Sequence, residues 1–259
     1  MQDNKFILFD FDGVIVDGIN EYWHSSVLAC HNLHVSEIIS PKISEGEVSK
    51  TFIEMRPWVK YGWEMVLIAH EIIKKDKPIT LLNKDAFLKN YKNNCIKILK
   101  KNGWKPDDLQ QSLNNARSFQ ISSDAEKWLA LHQPFIPVVS FINKAQKNGY
   151  KVAIISTKGK EFSSKILNRI NIIPDNIFGY ESGTKIEIIT QLKQKFEILG
   201  FIEDRRQTLS DLLGNYETKD VPCYLAEWGY LKPLDKLNLP DQIKLLRLKE
   251  LEDILAIHT

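Results

Sequence analysis

The chain has 259 residues, of which 43% are hydrophobic and 26% charged, with a formal net charge of +2. That length can bury a substantial core and exceeds the usual single domain, so two domains, or one domain carrying a large insertion, are expected. The composition is that of a soluble globular protein, and the small net charge gives no case for a nucleic-acid partner.

The polar start Met1-Gln2-Asp3-Asn4-Lys5 runs directly into an apolar stretch, Phe6 to Phe9, leaving no room for a signal peptide. That stretch ends in Asp10-Phe11-Asp12-Gly13. It reads as a buried parallel strand whose C-terminal end delivers Asp10 and Asp12 into the crevice where open α/β sheets do their chemistry. Two carboxylates that close repel unless they share a cation or a proton or take different jobs. Asp10 is therefore a candidate nucleophile and metal ligand, and Asp12 a candidate acid/base. A solvated, Asp-rich turn is the plain alternative.

From residue 18 to about 134 the spacing is helical nearly throughout, with helices expected over 19–34, 45–54, 57–75, 78–101 and 106–131. Pro41, Pro57, Pro78 and Pro106 punctuate them, three at places that suit a first helical turn. The Lys-rich stretches Lys74 to Lys77 and Lys97 to Lys105 are interrupted by apolar or acidic residues and read as solvated faces. Gly18 on one side, and Pro134 and Pro137 on the other, mark linkers on which such a helical insertion would close as a lid over strand ends. Within it, Arg56-Pro57-Trp58-Val59-Lys60-Tyr61-Gly62-Trp63 groups cations with aromatics. Arg56 suits a distal anionic group and Trp58 or Tyr61 a ring or sugar face; packing of the insertion is the other reading of these residues.

The core pattern then resumes. Lys151 to Ile155 is an apolar strand that stops at Ser156-Thr157-Lys158-Gly159 before a helix. Hydroxyls and free N–H groups at such a turn suit an anionic oxygen, and a Ser/Thr helix cap is the alternative. Gly183-Thr184-Lys185 precedes a helical run through Ile186, Ile188, Ile189 and Leu192. A lysine at a helix N-terminus adds positive charge where the dipole is already positive, so it invites an anion; a solvated surface lysine is the alternative. Leu199 to Ile202 is a further apolar strand, ending in Glu203-Asp204. Adjacent acids at a strand end offer the hard oxygens Mg²⁺ prefers; Asp204 is the candidate ligand, and Glu203 either a second ligand or an orienter of metal-bound water. A strand near Val221 to Ala226 leads to Trp228-Gly229-Tyr230, a tight turn at one more strand end. Leu239 to Ile257 has mostly helical spacing and is expected to form a closing helix.

These four segments, in this order and spacing, resemble the haloacid dehalogenase-like hydrolase superfamily, chiefly its phosphatases with a helical cap inserted after the first motif. The resemblance covers the first 20 residues or so and about 135–231. It implies a doubly wound, Rossmann-like α/β core of five or so mainly parallel strands from residues 1–17 and 135–259, and an all-helical cap from 18–134. It further implies that Asp10 attacks phosphorus to form an aspartyl-phosphate, while Asp12 protonates the leaving alcohol and later activates water. Ser156 and the Thr157 N–H would bind the phosphoryl group, together with Lys185, which also holds the nucleophile. Asp10, the Asp12 backbone carbonyl and Asp204, with Glu203 as a further candidate, would hold Mg²⁺. Many relatives have a small residue after the acidic pair and a later acid, where this chain has Arg205 and Thr208. An acid at position 12 argues against a dehalogenase, whose chemistry needs no leaving-group acid. The substrate implied is a small phosphorylated metabolite; a sugar-phosphate mutase and a non-catalytic binding protein on the same fold are the alternatives.

Cys30, Cys95 and Cys223 lie far apart without metal-type spacing and read as reduced, buried thiols. Of the six histidines, only His31 and His34 fall one turn apart, and a helix face is the simpler reading than zinc. No apolar segment approaches the roughly 20 residues that span a bilayer, so a cytoplasmic protein without a membrane partner is expected. The sequence leaves the oligomeric state open.

Overall fold

Apolar runs that end in polar turns become the strands of the sheet. The computed structural model describes residues 4–33 and 47–256. Its strands are β1 (Lys5–Phe9), β2 (Val16–Asp17), β3 (Gln133–Pro134), β4 (Lys151–Ile155), β5 (Asn176–Phe178), β6 (Glu197–Glu203), β7 (Cys223–Ala226) and β8 (Ile243–Leu246). Among the described residues, a six-stranded sheet runs in the order β5-β4-β1-β6-β7-β8, with every neighbouring pair parallel. The sequence suggested five or so; the sixth is β8, discussed below.

β1, β4 and β6 are buried along almost their whole length. Near-continuous apolar strands are what a parallel sheet covered on both faces requires. The helices are α1 (Ile19–Asn32), α2 (Lys50–Met55), α3 (Gly62–Ile73), α4 (Lys84–Leu88), α5 (Tyr91–Asn102), α6 (Pro106–Ala130), α7 (Ile136–Lys147), α8 (Lys160–Arg169), α9 (Lys185–Lys193), α10 (Arg206–Gly214) and α11 (Asp253–Ala256). Phe6, Leu8, Ala153, Ile155 and Phe201 pack with Ile188 and Ile189 of α9 and Leu209 and Leu212 of α10. From the alternate positions of β1, Phe9 meets Phe141 of α7 edge to face, ring centroids 6.2 Å apart.

The chain divides into two compact units: Met1–Asp17 with Gln133–Thr259, and Gly18–His132. In the first, β2 and β3 pair antiparallel, Val16 with Pro134 and Asp17 with Gln133, so the strand that leaves the sheet and the one that returns are neighbours. The second unit is helical. Its core joins Tyr22, Trp23 and Val27 of α1, Phe52 and Met55 of α2, Val66 and Leu67 of α3, and Leu109, Leu113 and Ala116 of α6.

Several elements differ from expectation. The stretch 78–101 is two helices, α4 and α5, because Asn90 between them leaves helical backbone angles (φ −136°, ψ 45°). Pro57 lies in a 3₁₀ turn, Arg56–Trp58, and the next helix starts only at Gly62. Helix α6 breaks at Asp124 (φ −162°, ψ 91°), whose Oδ1 accepts from the Lys127 N–H at 2.9 Å and so caps the segment that follows. The expected closing helix over Leu239 to Ile257 is instead β8, a 3₁₀ turn (Leu248–Glu250) and the short α11. The ends of helices 19–34 and 45–54, Pro41, His34, His258 and the first three residues fall outside the described residues. Among the described residues, no helix is long and apolar enough to cross a membrane.

Candidate active site

The sheet order puts β1 between β4 and β6, so three of the four segments meet at one edge. Phe9 is level with Ile154 on one side and Ile202 on the other. Asp10 therefore emerges beside the ends of both neighbours, and its N–H donates to the Ile202 carbonyl at 2.8 Å. The next residues turn sharply: the N–H groups of Val14, Ile15 and Val16 all point to the Phe11 carbonyl, and Gly13 N–H donates to Val16 at 2.7 Å. Gly13 sits at φ +89°, and a Cβ there would lie 2.0 Å from Asp204 Oδ2. Gly229 faces the same carboxylate, since its Cβ would come within 2.3 Å of the Asp204 Cβ. Asp204 thus lies between two positions that only glycine fills.

Lys185 supplies the fourth segment. The Thr184 hydroxyl accepts the Glu187 N–H, and Glu187 returns a bond to the Thr184 N–H, a capping box that fixes Lys185 in the first turn of α9. The Lys185 Nζ lies 2.6 Å from Asp10 Oδ1 and 2.6 Å from Glu203 Oε2. Burial alone would lower this ammonium's pKa, but the two carboxylates outweigh burial and hold it raised. Burial, with the Glu203 charge adding to it, pushes Asp10 up to about 7 against the pull of Lys185. Glu203 is raised too, by its burial first.

Carboxylate oxygens of Asp10, Glu203 and Asp204 all lie within 4.8 Å of one another, and all three residues are buried. Buried acids this close repel, and a hard divalent cation among them would relieve the repulsion. An all-oxygen donor set fits Mg²⁺. Glu203 is already engaged on both oxygens, by Lys185 at Oε2 and by the Arg205 N–H at Oε1, 3.0 Å. Asp10 is engaged as well, by the same ammonium at Oδ1 and by the Phe11 backbone. Asp204 is held by Tyr230, whose N–H donates to Oδ2 at 2.8 Å.

Ser156 directly follows β4, buried, with its N–H on the Phe178 carbonyl and its hydroxyl accepting from the Lys158 N–H at 2.9 Å. Thr157 follows in the bend, half-buried. The Asp12 side chain is buried, and Lys158 Nζ lies 3.5 Å from its Oδ1. The segment after β7 closes around the turn: Trp228 Nε1 donates to the Val14 carbonyl at 3.1 Å, and the Tyr230 hydroxyl bonds Asp17. Arg56 belongs to the helical unit, where its guanidinium lies over Tyr22, 5.6 Å from the ring centroid, and Nη1 approaches the Val59 carbonyl at 3.5 Å. Trp58 is half-buried in the same unit.

Sequence reasoning passed over Lys158 and the ties made by Tyr230. Lys158 carried a readable signal, a cation beside a helix N-terminus, one residue before the cap of α8, whereas Lys185 lies one residue after the cap of α9. The Tyr230 ties carried none, because 26 residues separate it from Asp204 and 213 from Asp17.

No protein-family model matches this sequence, and no curated protein matches it. Solved structures do. A predicted phosphatase from Clostridium acetobutylicum superposes with a TM-score of 0.60 at 14% identity, covering 97% of this chain and 98% of its own. A haloacid dehalogenase-like family hydrolase from Streptococcus pneumoniae gives 0.56 at 18% identity, with 100% of both chains covered. The chain has the haloacid dehalogenase-like fold. A third structure of that kind, a predicted phosphoglycolate phosphatase from Haemophilus somnus, gives 0.59 at 15% identity over 100% of both chains. At such identities the likeness is one of fold.

Proposed function

We propose that this haloacid dehalogenase-like protein is a Mg²⁺-dependent phosphatase that hydrolyses a small phosphomonoester through an aspartyl-phosphate on Asp10. The observation that carries this reading is Lys185, whose ammonium bridges Asp10 and Glu203 beside Asp204. A buried nucleophile gripped by a cation, next to a second acid that can exchange protons, suits in-line phosphoryl transfer better than a structural ion pair does.

Asp10 attacks phosphorus while Lys185 holds the attacking carboxylate in place and offsets charge on the phosphoryl oxygens. The turn at Ser156 and Thr157 offers a hydroxyl and an N–H to those oxygens. Asp12 gives its proton to the leaving oxygen, then takes one from the water that cleaves the aspartyl-phosphate. Mg²⁺, held by Asp10, Asp204 and the Asp12 carbonyl, would offset phosphate charge. Glu203 orients Lys185 rather than serving as a principal ligand. Substrate choice belongs, in this reading, to the helical unit, with Arg56 and Trp58 as its candidates. The fold's solved relatives described as phosphatases support the same reaction class.

The test is hydrolysis of p-nitrophenyl phosphate and of a panel of phosphometabolites, with Mg²⁺ and with excess chelator. Turnover that ends on chelation is expected. Undiminished turnover without metal contradicts the proposal, and isomerised phosphosugar formed in the presence of a bisphosphate activator would make the protein a mutase. Wild-type protein that turns over nothing leaves only a binding role.

A further inference from the structure

Among the described residues, two lysines meet the acids of this site, and only Lys185 is used by the reading above. Lys158 is the other. Its side chain has no solvent exposure, its Nζ lies 3.5 Å from Asp12 Oδ1, and that carboxylate is itself only 6% exposed. A buried ammonium is costly unless a charge or hydrogen-bond partner compensates it, so a lysine kept here is held for what it faces. Its backbone is fixed as well, because its N–H donates to Ser156 Oγ and the next residue, Gly159, is the N-cap of α8. The cations are divided between the acids: Lys185 grips Asp10 and Glu203 from α9, while Lys158 reaches Asp12 from the end of β4.

We propose that Lys158 is a positioning residue for the leaving-group acid: it fixes the Asp12 carboxyl in one orientation and stabilises the carboxylate left after Asp12 gives its proton to the departing alkoxide oxygen. As the ester P–O bond breaks, the proton passes from Asp12 to that oxygen, and the charge remaining on Asp12 faces the ammonium. When water attacks the aspartyl-phosphate, its proton returns to Asp12. This inference rests on the phosphatase reading.

The experiment measures kcat and KM with Mg²⁺ across aryl and alkyl monophosphates of graded leaving-group ability. It uses wild type, Lys158→Met, Lys158→Gln, Asp12→Asn and the Lys158→Met/Asp12→Asn double variant. General-acid help matters most when the leaving group is poor, so Lys158→Met should lower kcat on alkyl phosphates about tenfold or more but on p-nitrophenyl phosphate about threefold or less. Lys158→Gln, which still donates N–H but carries no charge, should fall between. Adding Lys158→Met to Asp12→Asn should cost little more than Asp12→Asn alone, since both remove one function. An equal loss on every substrate, a change confined to KM, or full additivity would overturn the proposal, pointing to phosphoryl binding or packing instead. Failure of both Lys158 variants to fold by circular dichroism would overturn it too, making Lys158 a core residue. Wild-type inactivity across the series is a different result, since it removes the phosphatase reading and this inference with it.

Discussion

At the scale of single residues, the site depends on acids held closer together than water would allow. Asp10 is raised to about 7 because it is buried and faces Glu203, so near neutral pH a good part of it is protonated without a cation. A metal ligand must be deprotonated, so Mg²⁺ binding at Asp10 would release that proton. Apparent Mg²⁺ affinity should therefore climb as pH rises toward about 7 and level off above it. Calorimetry in buffers of different ionisation enthalpy, between roughly pH 5 and 8, would measure both affinity and proton release. An affinity flat across that range would mean that Asp10 is not a ligand. Gly229 makes a second claim about the same cluster. An alanine Cβ would come within 2.3 Å of the Asp204 Cβ and 2.8 Å of the Gly13 carbonyl oxygen, both fixed by their own chain. Gly229→Ala should cost about 1–3 kcal/mol from overpacking and weaken the rise in Tm that Mg²⁺ produces. An unchanged Mg²⁺ response would show that Asp204 can move without loss.

At the scale of elements, burial decided what the pattern could announce. Phe6 to Phe9, Val152 to Ile155 and Leu199 to Ile202 were legible as strands because a strand covered on both faces is apolar at every position. The C-terminal stretch misled for a related reason. Ile243, Leu245 and Leu246 fit a helical stripe, but as β8 on the sheet's edge only Ile243 and Leu246 are fully buried, while Lys244 is exposed. The break in α6 at Asp124 was not legible, since an aspartate within a helical run gives no warning of where the backbone leaves the helix. The pair between α1 and α6 gave no signal. Arg117 donates from Nε to Glu21 Oε1 at 2.7 Å and from Nη2 to Oε2 at 3.0 Å, both side chains buried, with Ser25 also bonding Glu21. In sequence those two charges, 96 residues apart, look like solvated helix positions. Removing one partner leaves a buried charge uncompensated, so Arg117→Ala should destabilise the protein by about 3–5 kcal/mol, read from denaturant unfolding. Glu21→Gln combined with Arg117→Met should recover part of the loss. A loss under about 1 kcal/mol for the single variant would mean the pair is solvated.

At the scale of the whole molecule, Asp10, Ser156 and Asp204 could be picked out as candidates because each directly follows a strand, and parallel strands bring their C-terminal ends to one edge, whereas Lys185 opens α9 and was picked out by its charge at a helix start. The helical unit carried no comparable rule. Its candidates rested on residue type alone, and Arg56 has partners of its own in Tyr22 and Val59. If Arg56 selects the substrate, Arg56→Ala should lower kcat/KM on the best metabolite roughly ten- to hundredfold and leave p-nitrophenyl phosphate nearly unchanged. An equal drop on both would assign Arg56 to packing. The central claim, however, lies in the other unit, and a single measurement reaches it. The protein is acid-quenched during steady-state turnover of p-nitrophenyl phosphate with Mg²⁺, digested and examined by mass spectrometry. A phosphoryl group on the peptide containing Asp10, absent in Asp10→Asn and in chelated samples, is the expected result; turnover by the wild type with no phosphorylated peptide, or undiminished turnover by Asp10→Asn, would contradict the account.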